Sequence, residues 1–569
     1  MKKRSILSCN TLLHGKQILG FVLVLALVLP FKLFSQWQGN PVTQAQTEQI
    51  SPMITTDGSG GTIVTWQNFS GGRYEIFAQR MNASGVAMWL TNGVIISKQD
   101  SNYNPVIVSD DSGGAIIVWQ SYNGSPTADI YAQRINSMGF VQWSEYGVPV
   151  STVVFEQDSI SIIKDGLGGA ILAWQDYRSN NGFADIYAQR INSQGDMLWT
   201  ANGVNICNQA AAQRGPKVIT DGSGGAFVTW YDNRAGDYDI YTQRIGSAGA
   251  VQWTTNGVAT CTMASDQLKP DICTDGAGGI IVTWYDFRST TDYNIYAQRQ
   301  GPSGAIVWVV DGVVMNNNVA YAQIDPKIVS DNLGGAIISW TDYRTGITAD
   351  IYAQRVNSTG AVQWTATGVI ICTSANDQIK SQLVSDGNNG AYITWEDHRN
   401  VGNSDIYAQR IASNAAINWA ATGYLICAAA NNQTVPVIVS NGNLGAIVVW
   451  QDFRNGVNSD IYETGFNTSG LVSNNNEVSI IPDEFKLSQN YPNPFNPSTS
   501  INYSIPTASN VKITIYDALG KNVNELVNKS QVSGNYSVVW NAANMPSGVY
   551  IYKIEAGSFS ETKKMILIK

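Results

Sequence analysis

The sequence predicts an all-β protein, an eight-bladed β-propeller closed by an N-terminal strand and followed by a small C-terminal β-sandwich. Three observations point there. Charged residues are only 14% of the 569, against a usual ~25%, while Gly reaches 53, Trp 17 and Tyr 26. One Trp follows a Gly-rich turn at 66, 119, 174, 230, 284, 340, 395 and 450, at steps of 53 to 56 residues, and a second series stands at 37, 89, 143, 199, 253, 308, 364 and 419. With Trp540 these are all the tryptophans, so the repeat organises most of the chain.

The unit from Trp199 to Trp253 holds four strand-like segments: A (217–220), B (225–230), C (239–244) and D, placed around Trp253. The turn "DGSGG" between A and B supplies the glycines a hairpin loop needs, and its Asp can cap its own turn. Segment B is apolar without alternation, as in 115–119, so both its faces should be covered. Segment C alternates and reads as a strand with two unlike faces. Four short antiparallel strands repeated eight times fit a propeller better than a helical solenoid or a row of small domains, because no unit has a complete core of its own.

Ring closure is legible at the ends. The first recognisable segment is a D strand, Trp37 leading to Val42, and the last is a C strand at 460–462; position 474, where the spacing would put a further Trp, is Asn. The N-terminal segment is therefore expected to complete the eighth blade and remove exposed edges. The expected domain limits are 36–466 for the propeller, 467–484 for a Ser/Asn-rich linker and 485–569 for the C-terminal module.

Residues 1–35 read as a signal peptide, with basic Lys2, Lys3 and Arg4 before an apolar run, 18–29, too short to span a membrane. Cys9 precedes that run, unlike a lipid-attachment cysteine. This segment has five basic residues and no acid, so its removal takes the formal charge from −9 to −14. Such a surface repels phosphate backbones, and nucleic acid is excluded as a partner.

Loop lengths separate the two faces of the ring. The turn Asp (Asn441 in the last copy) to the B-strand Trp is always nine residues, and the start of C to the next Trp always fourteen. The B–C interval varies from nine to eleven and the D–A interval from twenty to twenty-three, both on one face, where binding is expected. The B–C loops there carry the pairs Asp176/Arg178, Asp232/Arg234, Asp286/Arg288, Asp342/Arg344, Asp397/Arg399 and Asp452/Arg454. The first two copies lack both charges, with Asn68 and Ser70, and Ser121 and Asn123. Joint loss is what structural ion pairs predict, since a lone buried partner is costly. Each Arg can also reach the acid that opens segment C, such as Asp185 or Asp239. A ring of ligand or cation contacts is the alternative, with Ca²⁺ the cation suited to carboxylate oxygens; no other cofactor is expected and no metal site is assigned. Between Asp and Arg stand Tyr177, Asn233, Phe287, Tyr343, His398 and Phe453, with Phe69 and Tyr122 at the matching places. The seven other than Asn233 are the candidate ligand-binding residues, and loop packing is their alternative role.

No catalytic residue is assigned. His398 is the one imidazole outside residues 1–35, and Glu396-Asp397-His398 is the one locally unusual acid set. Cys207, Cys261, Cys372 and Cys427 share one repeat position, which does not suit disulfides. Cys261 and Cys273, twelve apart, are the pair to test for a bridge. Without CxxC motifs or His partners zinc is not expected.

From about Phe485 the composition changes. "YPNPFNP", "IYDALGK", "PSGVYIYKI" and the terminal "KKMILIK" lie in alternating segments of a small β-sandwich. These residues resemble the type A C-terminal sorting domain of the bacterial type IX secretion system. The resemblance implies passage of the inner membrane by the signal peptide, recognition of residues 485–569 by the type IX machinery at the outer membrane, and removal of that domain on anchoring or release. The "DGxGG…W…DIYAQR" units resemble uncharacterised repeats of secreted proteins with such domains, which implies no activity. The expected protein is thus a monomeric, secreted or cell-surface propeller of a Gram-negative bacterium that binds an extracellular glycan or protein. A carbohydrate-active hydrolase and a purely structural adhesion protein are the alternatives.

Overall fold

The computed structural model describes residues 39–97, 101–122, 124–179, 181–317, 319–471, 485–507, 509–531 and 534–569. The expected signal peptide, Trp37, Asn123 and linker residues 472–484 lie outside them. Among the described residues there is no helix, hence none long and apolar enough to cross a membrane. Repeated four-stranded antiparallel sheets give a propeller-like architecture.

In the fourth sheet the strands are Gln213–Thr220 (A), Ala226–Asp232 (B), Asp239–Ile245 (C) and Val258–Cys261 (D), hydrogen-bonded in that order. Strand B is buried along nearly its whole length because neighbouring sheets cover both its faces. In the A–B turn, Asp221 Oδ1 accepts the N–H groups of Ser223 and Gly225, both at 2.8 Å, and Gly222 and Gly224 take φ of 73° and 80°.

Two sequence expectations are corrected. Strand A begins four residues before 217, because the ladder slips between Arg214 and Lys217. Every strand A has this bulge, with positive φ at Ser51, Asn104, Ser159, Gly215, Lys269, Asp325, Lys380 and Val435. Six of these precede Pro, which needs no ladder partner at a bulge. The described members of the second tryptophan series do not lie on strand D. Trp253 sits in the C–D connection, where Gln243 Oε1 accepts its backbone N–H at 3.0 Å and its Nε1 donates to Pro302 O of the fifth sheet at 3.0 Å.

Side chains also stitch one sheet to the next. Gln67 Oε1 accepts the Asn104 N–H at 2.9 Å and Gln175 Oε1 the Gly215 N–H at 2.7 Å. In the eighth sheet strand C, Asp460–Asn467, pairs on one edge with Gly445–Asp452 and on the other with Asn40–Thr43, placing Pro41 opposite Tyr462. Val42, Ile54, Val64 and Trp66 pack with Ile447, Val449 and Ile461, so the first and eighth sheets share a core. Each sheet is open; none closes on itself.

The C-terminal module stacks two sheets. Lys486–Leu487, Ser498–Ile505 and Gly534–Asn541 form one, and Asn522–Gln531, Ser509–Asp517, Gly548–Ala556 and Phe559–Leu567 the other. Ile501, Trp540, Ile513, Tyr552 and Met565 lie in the core between them.

Candidate functional site

The Asp–Arg loop pairs form one repeated network. In the third sheet Asp176 is fully buried and both its carboxylate oxygens are occupied. Oδ1 accepts Arg178 N at 3.0 Å and Nε at 2.7 Å, while Oδ2 accepts Trp174 Nε1 at 2.8 Å and Arg178 Nη2 at 2.5 Å. The guanidinium lies 3.7 Å from the centroid of Tyr187 and donates to Asn202 O at 2.7 Å. The same Trp–Asp–Arg–Tyr stack recurs with Arg234, Arg288, Arg344, Arg399 and Arg454, at 3.5 to 3.8 Å from the ring. One network therefore holds strand B, its loop, strand C and the C–D turn.

The first copy lacks the network as a unit: Asn68, Ser70 and Phe77 replace Asp, Arg and Tyr, and Trp66 Nε1 is buried with no partner among the described residues. In the second, Trp119 Nε1 donates to Asn102 Oδ1 at 2.9 Å. Cys207, Cys261, Cys372 and Cys427 belong to this network from the preceding sheet. Arg234 Nη2 donates to Cys207 Sγ at 3.1 Å, and burial and the Asp232 charge push the Cys207 thiol up to about 12. Cys261 and Cys273 are free and belong to different sheets, so the bridge singled out for testing is absent.

The acids opening strand C sit directly opposite the loop acids, Asp185 against Asp176 and Asp239 against Asp232. Burial first, then neighbouring acids, raises Asp239 to about 7; burial raises Asp185, Asp350 and Asp460 to about 6. Two like charges opposite one another are unfavourable, and a proton on the second relieves this. Among the described residues no three His, Cys, Asp or Glu side chains converge as a metal site, and the carboxylates of the six loop acids are engaged by Trp and Arg donors.

The eight residues between Asp and Arg, or their counterparts, are pinned alike. The backbone N–H of Phe69, Tyr122, Tyr177, Asn233, Phe287, Tyr343, His398 and Phe453 each donates to a D–A loop carbonyl at 2.8 to 3.1 Å. They lie at equivalent places on the loop-variable face, and the structure brings only some into contact. Phe69 meets Tyr74 at a tilt (5.0 Å between centroids), Tyr74 meets Tyr103 at a tilt (5.4 Å) and Tyr103 meets Tyr122 edge-on (5.5 Å). Phe287 meets Tyr293 at 4.7 Å in a separate cluster. His398 Nε2 stands 3.8 Å from Glu396 Oε2. Glu396 itself is buried and structural, its Oε1 accepting Lys380 Nζ at 2.9 Å and the Val435 N–H at 2.6 Å.

Tyr122, at the end of the aromatic row, borders a cavity of about 600 Å³ whose walls also include Ser51, Asn104, Gln120, Glu156 and Asp158. Residues of strands A from the first, second, third and eighth sheets thus meet around one space. A second cavity of about 440 Å³ lies against Tyr103 and Tyr122. Tyr122 Oη donates to Glu156 Oε1 at 3.3 Å, and burial followed by the Glu156 charge raises the Tyr122 phenol. Burial raises Asp158 above the usual carboxylate range. Arg214 Nε is buried without a partner among the described residues. Sequence reasoning missed Tyr74, Tyr103, Glu156, Asp158 and Arg214. A signal existed: the second residue of strand A is Ile50, Leu268, Ile324 or Ile379 in four copies but Tyr103, Asp158 and Arg214 in three consecutive ones.

Comparisons with known proteins give distant structural likenesses. They include a protein of unknown function from Dyadobacter fermentans (11% identical, covering 55% of this chain and 95% of that one, TM-score 0.34). The GH93 α-L-arabinofuranosidase of Fusarium graminearum is 9% identical over 56% of this chain and 98% of that one, at a TM-score of 0.33. Polysaccharide lyase Uly1 is 9% identical over 62% and 88%, at 0.38. At such scores none carries an argument about chemistry. A search of curated proteins finds no match. Residues 489–569 match the family model described as a secretion system C-terminal sorting domain. The C-terminal sandwich is accordingly a type IX secretion sorting domain, and the chain that carries it is a secreted or cell-surface protein handled by that machinery.

Proposed function

We propose that residues 36–466 form an eight-bladed propeller, sealed by the pairing of residues 40–43 with strand C of the eighth sheet, that binds an extracellular glycan on its loop-variable face. Residues 467–484 then tether the sorting domain at 485–569. The observation that carries the binding reading is the row Phe69–Tyr74–Tyr103–Tyr122 beside a cavity holding Glu156 and Asp158. Aromatic faces take the apolar faces of sugar rings, and the acids, Gln120 and Asn104 accept and donate to hydroxyls. The row stands where the Asp–Arg network is missing, so these two sheets carry, in place of that packing device, a row of one exposed and three half-buried rings. Tyr177 extends the site beside Asp158 and Arg214; Phe287, Tyr343, His398 and Phe453 lie on the same rim as secondary contacts.

The test is a glycan array probed with the secreted chain. Tyr103→Ala and Tyr122→Ala are expected to weaken selective binding at least about tenfold, a loss of about 1.4 kcal/mol, with Tyr343→Ala close to unchanged. Undiminished binding by both variants would overturn the reading. One observation favours a second reading, a carbohydrate-active hydrolase: Asp158, raised by burial, shares the cavity with Glu156, and a raised carboxyl group beside a second one suits acid–base work. Reducing ends released by the intact chain and lost in Asp158→Asn would replace binding with hydrolysis.

A further inference from the structure

On the opposite face, seven sheets fill the space beneath their A–B turn with the arginine of strand C. Arg80 donates from Nε and Nη2 to Asp57 Oδ2 at 3.0 and 2.9 Å, and from Nη1 to Ser137 O of the next sheet at 3.0 Å. Arg355 does the same with Asp331 and Ser413 O. The eighth sheet has lost both partners, with Asn441 in place of the Asp and Gly465 in place of the Arg. Two residues earlier on the same strand face, Glu463 stands where the other strands C carry Ala or Thr, as at Ala408 and Thr242. Glu463 is buried, and its Oε2 accepts Thr62 Oγ1 of the first sheet at 2.7 Å. Thr62 in turn replaces the alanine of other copies, such as Ala115 and Ala170.

A cavity of about 210 Å³ remains there, lined among others by Ser59, Asn82, Ala83, Asn441, Glu463 and Gly465. Ala83 holds the turn position of Ser137, whose carbonyl the arginine meets elsewhere. We propose that this cavity, between the eighth and first sheets, binds a guanidinium group supplied from outside the chain. The fork of N–H donors fits the Glu463 carboxylate and the turn carbonyl of Ala83, the two kinds of acceptor that the internal arginines use, while Asn441 Oδ1 is taken by the N–H groups of Asn443 and Gly445. A buried carboxylate calls for a cationic partner. Burial, partly offset by the Thr62 hydrogen bond and reinforced by the charge of Asp57, itself paired to Arg80, raises Glu463 to about 7. The site lies on the other face from the aromatic row and does not depend on it.

The experiment is thermal unfolding of the full chain at pH 8 with millimolar methylguanidinium, against methylammonium and methylurea. The expected result is a saturable rise in Tm with methylguanidinium that neither control matches. It should disappear in Gly465→Arg, which supplies the group internally; there is room, since a Cβ at 465 would meet nothing nearer than 3.7 Å. It should weaken in Glu463→Ala, the residue most other copies carry. No saturable rise, or the same rise in Gly465→Arg, overturns the proposal. If Gly465→Arg does not fold, calorimetric titration of the unaltered chain decides: saturating heat with methylguanidinium and not methylurea supports it, and no saturating heat overturns it. Comparing free arginine with an Arg-containing peptide and its citrulline twin then separates a small molecule from a protein partner.

Discussion

Gln451 Oε1 accepts the backbone N–H of Ser51 at 3.0 Å across 400 residues of sequence. The bond is equivalent to Gln67–Asn104 and Gln175–Gly215, which join sheets adjacent in sequence. Gln451→Ala is therefore expected to cost about 1–3 kcal/mol, the penalty of stranding a half-buried donor, and as much as Gln67→Ala. Urea unfolding of both variants checks this; a silent Gln451→Ala beside a costly Gln67→Ala would mean that the first and last sheets do not bear on one another in solution.

Arg234→Ala leaves the fully buried Asp232 without a cationic partner, facing only Trp230, Cys207 and the backbone N–H of residue 234, and should cost about 3–5 kcal/mol. Asp232→Asn with Arg234→Ser, the pair found in the first copy, should cost clearly less than the sum of its single changes. A double-mutant cycle measures the coupling, and strict additivity would refute the network.

At the place of Glu396 the chain has Gln67, Gln120, Gln175 and Gln451 in other copies. Glu396→Gln can still accept the Val435 N–H, so stability should fall by no more than about 1 kcal/mol, with Glu396→Ala worse. Equal losses in chemical denaturation would show that the acceptor at this position is not what matters.

Gly203 has φ of 93°, and a Cβ there would come within 2.4 Å of the Trp174 ring. Gly203→Ala should cost about 1–3 kcal/mol through overpacking, more with the strain of positive φ. Calorimetry would contradict this if the midpoint were unchanged.

Asp185, Asp350 and Asp460 at about 6, and Asp239 at about 7, stand above the ordinary 3.8. Between pH 4 and about 7 the folded chain keeps protons that the unfolded chain has released, so stability falls as pH rises through that window and levels off above it. The Tm at pH 5 should exceed that at pH 8.5 by a few degrees, about 2–8 °C, and Asp239→Asn should narrow the gap. A Tm that climbs from pH 5 to 8.5 would reverse the assignment.

The repeat, its four strands and the pairing of residues 40–43 with strand C at 460–467 could be read from tryptophan spacing, because packing fixes those intervals. The loop pairs were legible through their joint absence in two copies. The bulge was not: Gly215 permits positive φ, but Ser, Asn, Lys, Asp and Val occupy that place in other copies, so residue type does not mark it. Trp253 was misplaced because its ring bridges to the fifth sheet while the strand starts five residues later at Val258. Tyr74 and Tyr103 escaped notice because they join Phe69 and Tyr122 across two sheets, a contact that depends on how the strands face one another and on no spacing along the chain.

The pairing of Asn40–Thr43 with Asp460–Asn467 also sets an order in time. While the polypeptide is being made or threaded through the cell envelope, its opening strand has nothing to pair with until more than 400 residues have followed. A copy cut anywhere before that point keeps two bare ribbon edges, which invite proteolysis and clumping. In the proposed ring, only a chain that reaches Glu463 can cover the edge of its opening strand.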